Sequence, residues 1–464
     1  MTAGAFPADP RLPELAAACD PARMTALLRS GLRPRGEAAI EGCALEELRH
    51  RADRRTVLRY RVAVGGAARP HWWLTGLLYG GRAAPGRAAA VAEELRAVAP
   101  APAEIAWEQP FESVALLPEL GMVVQAFPFD RRLPALAPLS GGPGPELAAL
   151  LCARAGLPAA RIDGWTSELV RYRPQRCAVL RWTLTGCGGP HRFYVKLHAK
   201  DADLAAVRDV PARAGGFAVS RPLLELPDRR LVAYAEAPGT PFDRIVLRGG
   251  AGVAAAARVV GGALAALHRD TALPERRFTA ADERADVAQA AALVRWGRPD
   301  LERRVRRIEA RVGHALRDVP PAFVHGDLKP DHVLLAGGRP ALIDLDTRAA
   351  ADPVLDPGKL LARLFGLALE RPAAGPAARA ASRGLADAYF AAVPREWRAR
   401  LEPHYAGALL KLAASLLRRQ APGWPALAGA LVAEADRATA RLAGPPAPAP
   451  APAARVLAAT EGAR

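Results

Sequence analysis

The residues best equipped for chemistry lie in one stretch, Phe323-Val324-His325-Gly326-Asp327-Leu328-Lys329-Pro330-Asp331-His332-Val333-Leu334-Leu335, followed by Ala341-Leu342-Ile343-Asp344-Leu345-Asp346. Short apolar runs, Ala322 to Val324, Val333 to Leu335 and Ala341 to Ile343, alternate here with polar loops. They read as strands, the last two as a hairpin across Ala336-Gly337-Gly338-Arg339-Pro340. Pairing Leu335 with Ala341 carries the register back to His332 opposite Asp344, with Cβ atoms about 5 Å apart. A carboxylate, Asp327, then sits beside a pair able to bind a metal. Phosphoryl transfer needs that arrangement, with one carboxylate to orient an attacking hydroxyl and others to hold the Mg2+ that neutralises nucleotide phosphates.

The stretch resembles the catalytic loop of the aminoglycoside phosphotransferase and choline kinase family, small-molecule kinases related in fold to protein kinases. The family's pattern is His-Gly-Asp, four residues, Asn, then Ile-Asp-x-Asp or Glu. The resemblance implies that Asp327 is the catalytic base, that His325 braces the loop and that Asp344 is the principal metal ligand, with Asp346 a further one. It also implies ATP and Mg2+ as cofactors. Asp327-Leu328-Lys329-Pro330 matches the protein-kinase loop as well, where such a Lys approaches the transferred phosphate. His332 stands where the family has a metal-binding Asn. Three readings of it are open: a weak direct ligand, a donor to a metal-bound water or phosphate, or a disabled second-metal site. Mg2+ is a hard ion that prefers oxygen, which favours the second.

Composition narrows the alternatives. At 464 residues the chain can bury two or three full cores. No run approaches the roughly 18 apolar residues of a membrane span, and Met1 to Pro10 has neither the basic cluster nor the apolar core of a signal peptide. The five cysteines (Cys19, Cys43, Cys152, Cys177 and Cys187) are scattered without ligand-pair spacing, so reduced thiols and a cytoplasmic location are expected. The net charge of +17 is almost entirely arginine spread along the chain. Without interleaved aromatics that pattern argues against a nucleic-acid surface, while attraction of anions, ATP included, remains compatible.

Asp20 and Pro21 mark a helix start before Met24, Leu27 and Leu28. Beyond it the chain repeats itself. Ile40-Glu41-Gly42 and Arg54 to Arg61 recur 122 residues later as Ile162-Asp163-Gly164 and Arg176 to Thr183, and Pro70-His71 echoes Pro190-His191. Leu117-Pro118 to Phe129-Asp130 likewise parallels Leu226-Pro227 to Phe242-Asp243. Each copy has a leading helix, several strands, an intervening helix and a final strand, which resembles the small lobe of the kinase-like fold. Arg132 to Pro145 joins them.

The second copy carries Phe193-Tyr194-Val195-Lys196-Leu197, a strand with a Lys where kinases hold the α and β phosphates. Aligned through Pro70-His71, the first copy has Gly76 there. No Gly-x-Gly-x-x-Gly loop precedes Lys196. Its place is taken by Arg173-Pro174-Gln175-Arg176, whose guanidiniums, Arg176 in particular, are candidates to contact phosphate, although exposed arginines that touch nothing are an equal reading. The acidic partner expected for Lys196 is missing, with Asp203 and Asp209 weak candidates. Tyr234-Ala235-Glu236 reads as the hinge that holds adenine, with Tyr234 and Glu236 as binding residues. The chain is then helical, over Val253 to Leu267, Ala285 to Trp296 and Leu301 to Leu316 before the catalytic loop, and over Pro357 to Leu369, Ala377 to Phe390, Tyr405 to Arg418 and Pro425 to Leu442 after it. Asp356 falls where the family has a structural Asp.

The expected fold is α+β, a bilobal protein kinase-like fold with a duplicated, degenerate N-terminal lobe. Residues 1–131 form a cap domain, 132–147 a linker, 148–243 the working N-lobe, 244–442 a helical C-lobe and 443–464 a disordered Pro/Ala-rich tail. The expected activity is ATP-dependent phosphoryl transfer to a hydroxyl of a small molecule, such as an aminoglycoside, sugar or choline-like amine, with no nucleic-acid or membrane partner. The alternative is a pseudokinase, suggested by the absent Gly-rich loop, the unpartnered Lys196 and the His at 332.

Overall fold

The computed structural model describes residues 9–442 except 51–54, 68, 82–83, 106, 108, 158–161, 187–188 and 201–212. The Pro/Ala-rich tail, Cys187, Asp203 and Asp209 lie outside the described residues. The helix expected after Asp20 is α2 (Pro21–Gly31), which follows α1 (Leu15–Cys19), and the Asp20 side chain accepts the Arg23 amide at 2.8 Å. The first sheet comprises β1 (Ala39–Arg49), β2 (Arg55–Gly65), β3 (His71–Tyr79), β4 (Val114–Leu117) and β5 (Met122–Ala126), ordered β1-β2-β3-β5-β4. Helix α3 (Ala84–Ala97) packs on one face through Ala88, Ala92 and Leu95 against Val57, Leu77 and Val123.

The second sheet comprises β6 (Ile162–Arg173), β7 (Cys177–Gly186), β8 (His191–His198), β11 (Leu224–Leu226) and β12 (Leu231–Ala235); the short β9 (Arg213–Ala214) and β10 (Phe217–Val219) intervene in the chain. Its order, β6-β7-β8-β12-β11, is that of the first sheet. Both open with a register shift at the repeated Ile-x-Gly, between Ile40 and Gly42 and between Ile162 and Gly164. Lys196 pairs with Val179 and Val232, and in the first sheet the residue paired with Val57 and Val123 is Leu77. The counterpart of Lys196 is therefore Leu77, not Gly76. The Pro-His echo is one residue out of step with the strand pairing, and it is strand pairing that sets which face a side chain occupies. Gly76 itself is packed, since a Cβ there would meet Met122 Sδ at 2.8 Å.

One apolar core joins the two sheets. It contains Tyr60, Trp72 and Leu74 from the first and Leu180, Trp182, Phe193 and Val195 from the second. The joining segment is part of it: α4 (Leu136–Leu139) and α5 (Gly144–Ala155) bury Leu136, Leu139, Leu147 and Leu151. Each such side chain removed from water contributes about 1.5–3 kcal/mol, so the segment expected as a linker is instead a packed layer.

Polar groups of the first unit also grip the turn Pro174-Gln175-Arg176. The buried Asp130 accepts the Gln175 amide at 2.6 Å and the Tyr172 hydroxyl at 3.0 Å through Oδ2. Arg49 and Arg59 donate to the carbonyls of Pro174 and Tyr172, and Arg55 to Gln175 Oε1 at 2.5 Å. Gln175 sits at φ +60°, a strained conformation for a non-glycine residue that these bonds hold in place.

The C-terminal lobe is helical, with α6 (Phe242–Arg248), α7 (Gly252–Asp270), α8 (Ala280–Gly297), α9 (Glu302–Ala315), α10 (Leu355–Glu370), α11 (Gly375–Ala391), α12 (Leu401–Arg418) and α13 (Trp424–Ala440). A third sheet runs β13 (Thr240–Pro241), β15 (Val333–Ala336), β16 (Arg339–Leu342), β10, β9, and β14 (Ala322–Val324) pairs with β17 (Ala349–Ala351). The result is the α+β arrangement the sequence implies, with sheets in the N-terminal part and a helical C-terminal lobe. Replacing Asp130 with Asn should cost about 1.5–3 kcal/mol of stability, the range for a hydrogen bond to a charged group. Hydrogen exchange should show the Gln175 amide opening faster in that variant; unchanged exchange would mean the turn is held without it.

Candidate active site

The hairpin β15–β16 differs from the expected register by one residue. Val333 pairs with Leu342, Leu334 with Ala341 and Ala336 with Arg339, leaving a two-residue turn at Gly337 (φ +55°) and Gly338 (φ +76°). Two consecutive positive φ angles define a type I′ turn, whose twist suits a tight hairpin, and the two glycines supply them without strain. His332 therefore opposes Ile343, whose amide donates to the His332 carbonyl at 3.1 Å. Asp344 leaves the strand in the left-handed conformation (φ +64°), and this returns its carboxylate to His332, with Oδ2 3.4 Å from Nε2.

Asp344 and Asp346 converge on Lys196. The Lys196 ammonium bonds Asp344 Oδ1 and lies 2.9 Å from Asp346 Oδ2, with Tyr234 beside it at 5.3 Å from Nζ to ring centroid. Burial opposes the charge on Lys196, yet the two carboxylates outweigh it and hold the ammonium above its usual pKa. Burial likewise opposes ionisation of Asp344, and Lys196 and His332 hold that carboxyl well below the usual range. Among the described residues, the partners of Lys196 are thus the two expected metal ligands. His332 is buried, with Nδ1 unbonded, and burial together with Lys329 and His325 pushes its imidazole down toward the neutral form. Among the described residues no three His, Cys, Asp or Glu side chains group as a metal cage, so Asp344, Asp346 and His332 do not form one.

The loop before the hairpin hangs on Asp356 at the start of α10. This fully buried carboxylate accepts the amides of His325 (2.7 Å) and Gly326 (3.0 Å), with His268 Nε2 3.3 Å away. His325 is itself buried, with Nε2 3.0 Å from the Ile343 carbonyl and its ring stacked on His332. Gly326 adopts φ +83°, and a Cβ there would lie 2.3 Å from the Thr347 carbonyl. The loop so fixed presents Asp327, whose Oδ2 is 2.6 Å from Lys329 Nζ. Burial opposes the Asp327 charge, but Lys329 and Lys359 prevail and hold its carboxyl well below the usual carboxylate range.

Two expected binding residues are placed differently. Arg176 is exposed and outside the cavity beside Asp327, whereas Arg173, on the other side of the same turn, lines it. Glu236 is exposed, paired with Arg192 at 3.2 Å, and its amide is spent on the Arg192 carbonyl at 2.9 Å. Because hydrogen-bonding direction alternates along an antiparallel strand, it is Ala235 whose amide and carbonyl face away from β8. Strand alternation carries that signal once the pairing with β8 is known.

Residues 181–400, a little under half of the chain, match the sequence profile of the phosphotransferase enzyme family. No curated protein matches the sequence. Among solved structures, a choline/ethanolamine kinase family protein from Mesorhizobium loti is 20% identical, with 63% of this chain and 93% of that one covered and a TM-score of 0.42. A thermostable mutant of aminoglycoside phosphotransferase APH(4)-Ia is 14% identical over 64% of this chain and all of that one, with a TM-score of 0.45. A choline kinase from Cryptosporidium parvum Iowa II is 10% identical over 63% and 95%, with a TM-score of 0.43.

Replacing Asp356 with Asn would set an amide group against the two backbone donors it now accepts. The expected result is a loss of about 1–3 kcal/mol in denaturant unfolding, the cost of an orphaned buried donor, with the His325 and Gly326 amides exchanging faster. A variant with wild-type unfolding and exchange would show that the loop does not depend on this carboxylate.

Proposed function

We propose that the protein is an ATP-dependent phosphotransferase that moves the γ-phosphate to a hydroxyl of a small molecule. The observation that carries the reading is the convergence of Lys196 from the sheet lobe with Asp344 and Asp346 from the helical lobe, next to the loop that presents Asp327. This convergence weighs against the non-catalytic alternative, because three unlike elements place these groups together although nothing in their local structure requires it.

In this mechanism ATP sits between the lobes, with its adenine edge on the backbone of Ala235 and its phosphates near Lys196. The two carboxylates already share one cation, the Lys196 ammonium, and Mg2+ commonly takes one or two carboxylates with waters and phosphate oxygens as its remaining ligands, so the site fits that ion. Bound there, it would neutralise phosphate charge. His332 is held neutral and acts as a donor toward phosphate or water. Asp327, ionised, accepts the proton of the attacking hydroxyl as its oxygen bonds to the γ-phosphorus and the bond to the bridging oxygen breaks, releasing ADP. Lys329 steadies the base and faces the transferred group. Positioning and charge neutralisation do most of the work. The first sheet unit acts as a cap that binds no nucleotide of its own, since Leu77 replaces the Lys, and fixes the turn at residues 173–176 so that Arg173 faces the cavity beside Asp327.

Replacing Asp327 with Asn should lower kcat by about 10²–10⁴, the usual contribution of a general base, with little change in ATP affinity. ADP release and nucleotide titration measure the two, and retained turnover would remove Asp327 from its role. Since the folded environment depresses the Asp327 pKa, the base stays ionised until the pH falls below the ordinary value of about 3.9. The pH profile of kcat/KM should therefore show no acid limb from this group at neutral or mildly acidic pH.

A further inference from the structure

Beside Asp327 lies a cavity of about 330 Å³, enclosed by the catalytic loop, α8, α10 and α12. It contains neither Lys196, Asp344, Asp346 nor Tyr234, so it is distinct from the place assigned to the nucleotide. Apolar groups such as Val324, Leu355 and Leu412 form part of its wall, but its charges are lopsided. Helix spacing brings Lys359 and Arg363 onto the face of α10 that also carries Asp356, and Lys411 and Arg418 onto one face of α12. Arg173, Arg276 and Lys329 complete the cationic lining, against only the carboxylates of Asp286 and Asp327.

Some of this charge is already matched. Lys329 is paired with Asp327 and Lys411 with Glu283 at 2.5 Å. Lys359 donates to the Gly326 carbonyl, and its charge acts on the carboxylates of Asp327 and Glu283. Arg173, Arg363 and Arg418 have neither a side-chain hydrogen bond nor an ion pair among the described residues, although all three are half-buried. Burial lowers the pKa of each, and Arg173 lies close enough to lower that of Arg418 further. Asp327, Asp331 and Glu370 act favourably on Arg363 without a direct ion pair, but like charges gathered on a partly buried wall still oppose folding, and an anion bound between them offsets that contribution.

We infer that the phosphoryl acceptor is a small hydroxyl compound that carries an anionic group, phosphate or carboxylate, held by Arg363 and Arg418 while its hydroxyl faces Asp327. Arginine suits this task, because its guanidinium forms forked bonds to either anion. A positively charged acceptor, such as an aminoglycoside or choline, would be repelled from the same wall. This inference rests on the phosphotransferase reading above and adds the chemical class of its second substrate.

Two measurements on the full chain test it, both with Mg2+. In the first, wild-type protein saturated with ADP is treated with phenylglyoxal, and labelling of Arg363 and Arg418 is located by mass spectrometry with glycerol 3-phosphate, ribose 5-phosphate, gluconate, choline or kanamycin present. Protection by the anionic compounds alone is expected; equal labelling with all five, or protection by the cationic ones, overturns the inference. In the second, ADP release from ATP is compared across the same compounds, and Arg363→Glu should raise KM for an anionic acceptor about tenfold or more, the loss of about 1.4 kcal/mol of binding, with KM for ATP nearly unchanged. Turnover that favours choline or kanamycin, or an effect on ATP alone, would contradict the anionic acceptor and leave the phosphotransferase reading standing. Anion protection without transfer to any acceptor would instead fail the phosphotransferase reading while the anion site stood.

Discussion

The structure turns on the ionic group formed by Lys196, Asp344 and Asp346. Each member is mostly shielded from water, with side-chain exposures of 15%, 26% and 23%. A partly buried charge is tolerated only when it is paired, and removing one partner from such a group typically costs about 3–5 kcal/mol because the others are left uncompensated. The pairing therefore ties the sheet lobe to the helical lobe at the point where a nucleotide would lie. Among the described residues the two residues that resemble metal ligands are the acidic partners of Lys196, while Asp203 and Asp209 lie outside the described residues.

Around this group the scaffold converts packing into position. Asp356, buried at the start of α10, holds the backbone of His325 and Gly326 and so aims Asp327. The same helix continues to Lys359 and Arg363, which makes one rigid element responsible for both the loop's conformation and much of the cavity's charge. On the opposite side, Asp130 and three arginines clamp the turn that stands where related folds would have a flexible glycine-rich loop. A turn held by buried hydrogen bonds needs no ligand to order it, which reduces the entropic cost of binding.

Much of the site is legible in the sequence because it is local. The spacing from His325 to Asp346 and the Lys in β8 depend on short-range pattern, and the helices of the second lobe follow their apolar periodicity closely. The errors arise where one residue of register decides an outcome. Gly337 and Gly338 make a tighter turn than expected, yet the left-handed Asp344 restores the contact with His332 that the simpler register had implied. The same one-residue sensitivity puts Leu77 rather than Gly76 opposite Val57 and leaves Ala235 rather than Glu236 with free backbone groups, whereas Arg173 rather than Arg176 lines the cavity because the two lie on opposite sides of a turn. The cavity arginines are hidden for another reason. In a chain whose positive charge is spread throughout, only helix phase and tertiary packing distinguish Arg363 and Arg418 from solvated neighbours.

Manganese serves as a paramagnetic stand-in for magnesium, and its electron paramagnetic resonance spectrum reports directly on ion bound with ATP. The account predicts that wild-type protein with ATP takes up one such ion per chain and that Asp344→Asn weakens this uptake at least about tenfold, the change that loss of about 1.4 kcal/mol produces. Equal binding of the ion and ATP by that variant would contradict the assignment of the Lys196, Asp344 and Asp346 group as the nucleotide–metal site.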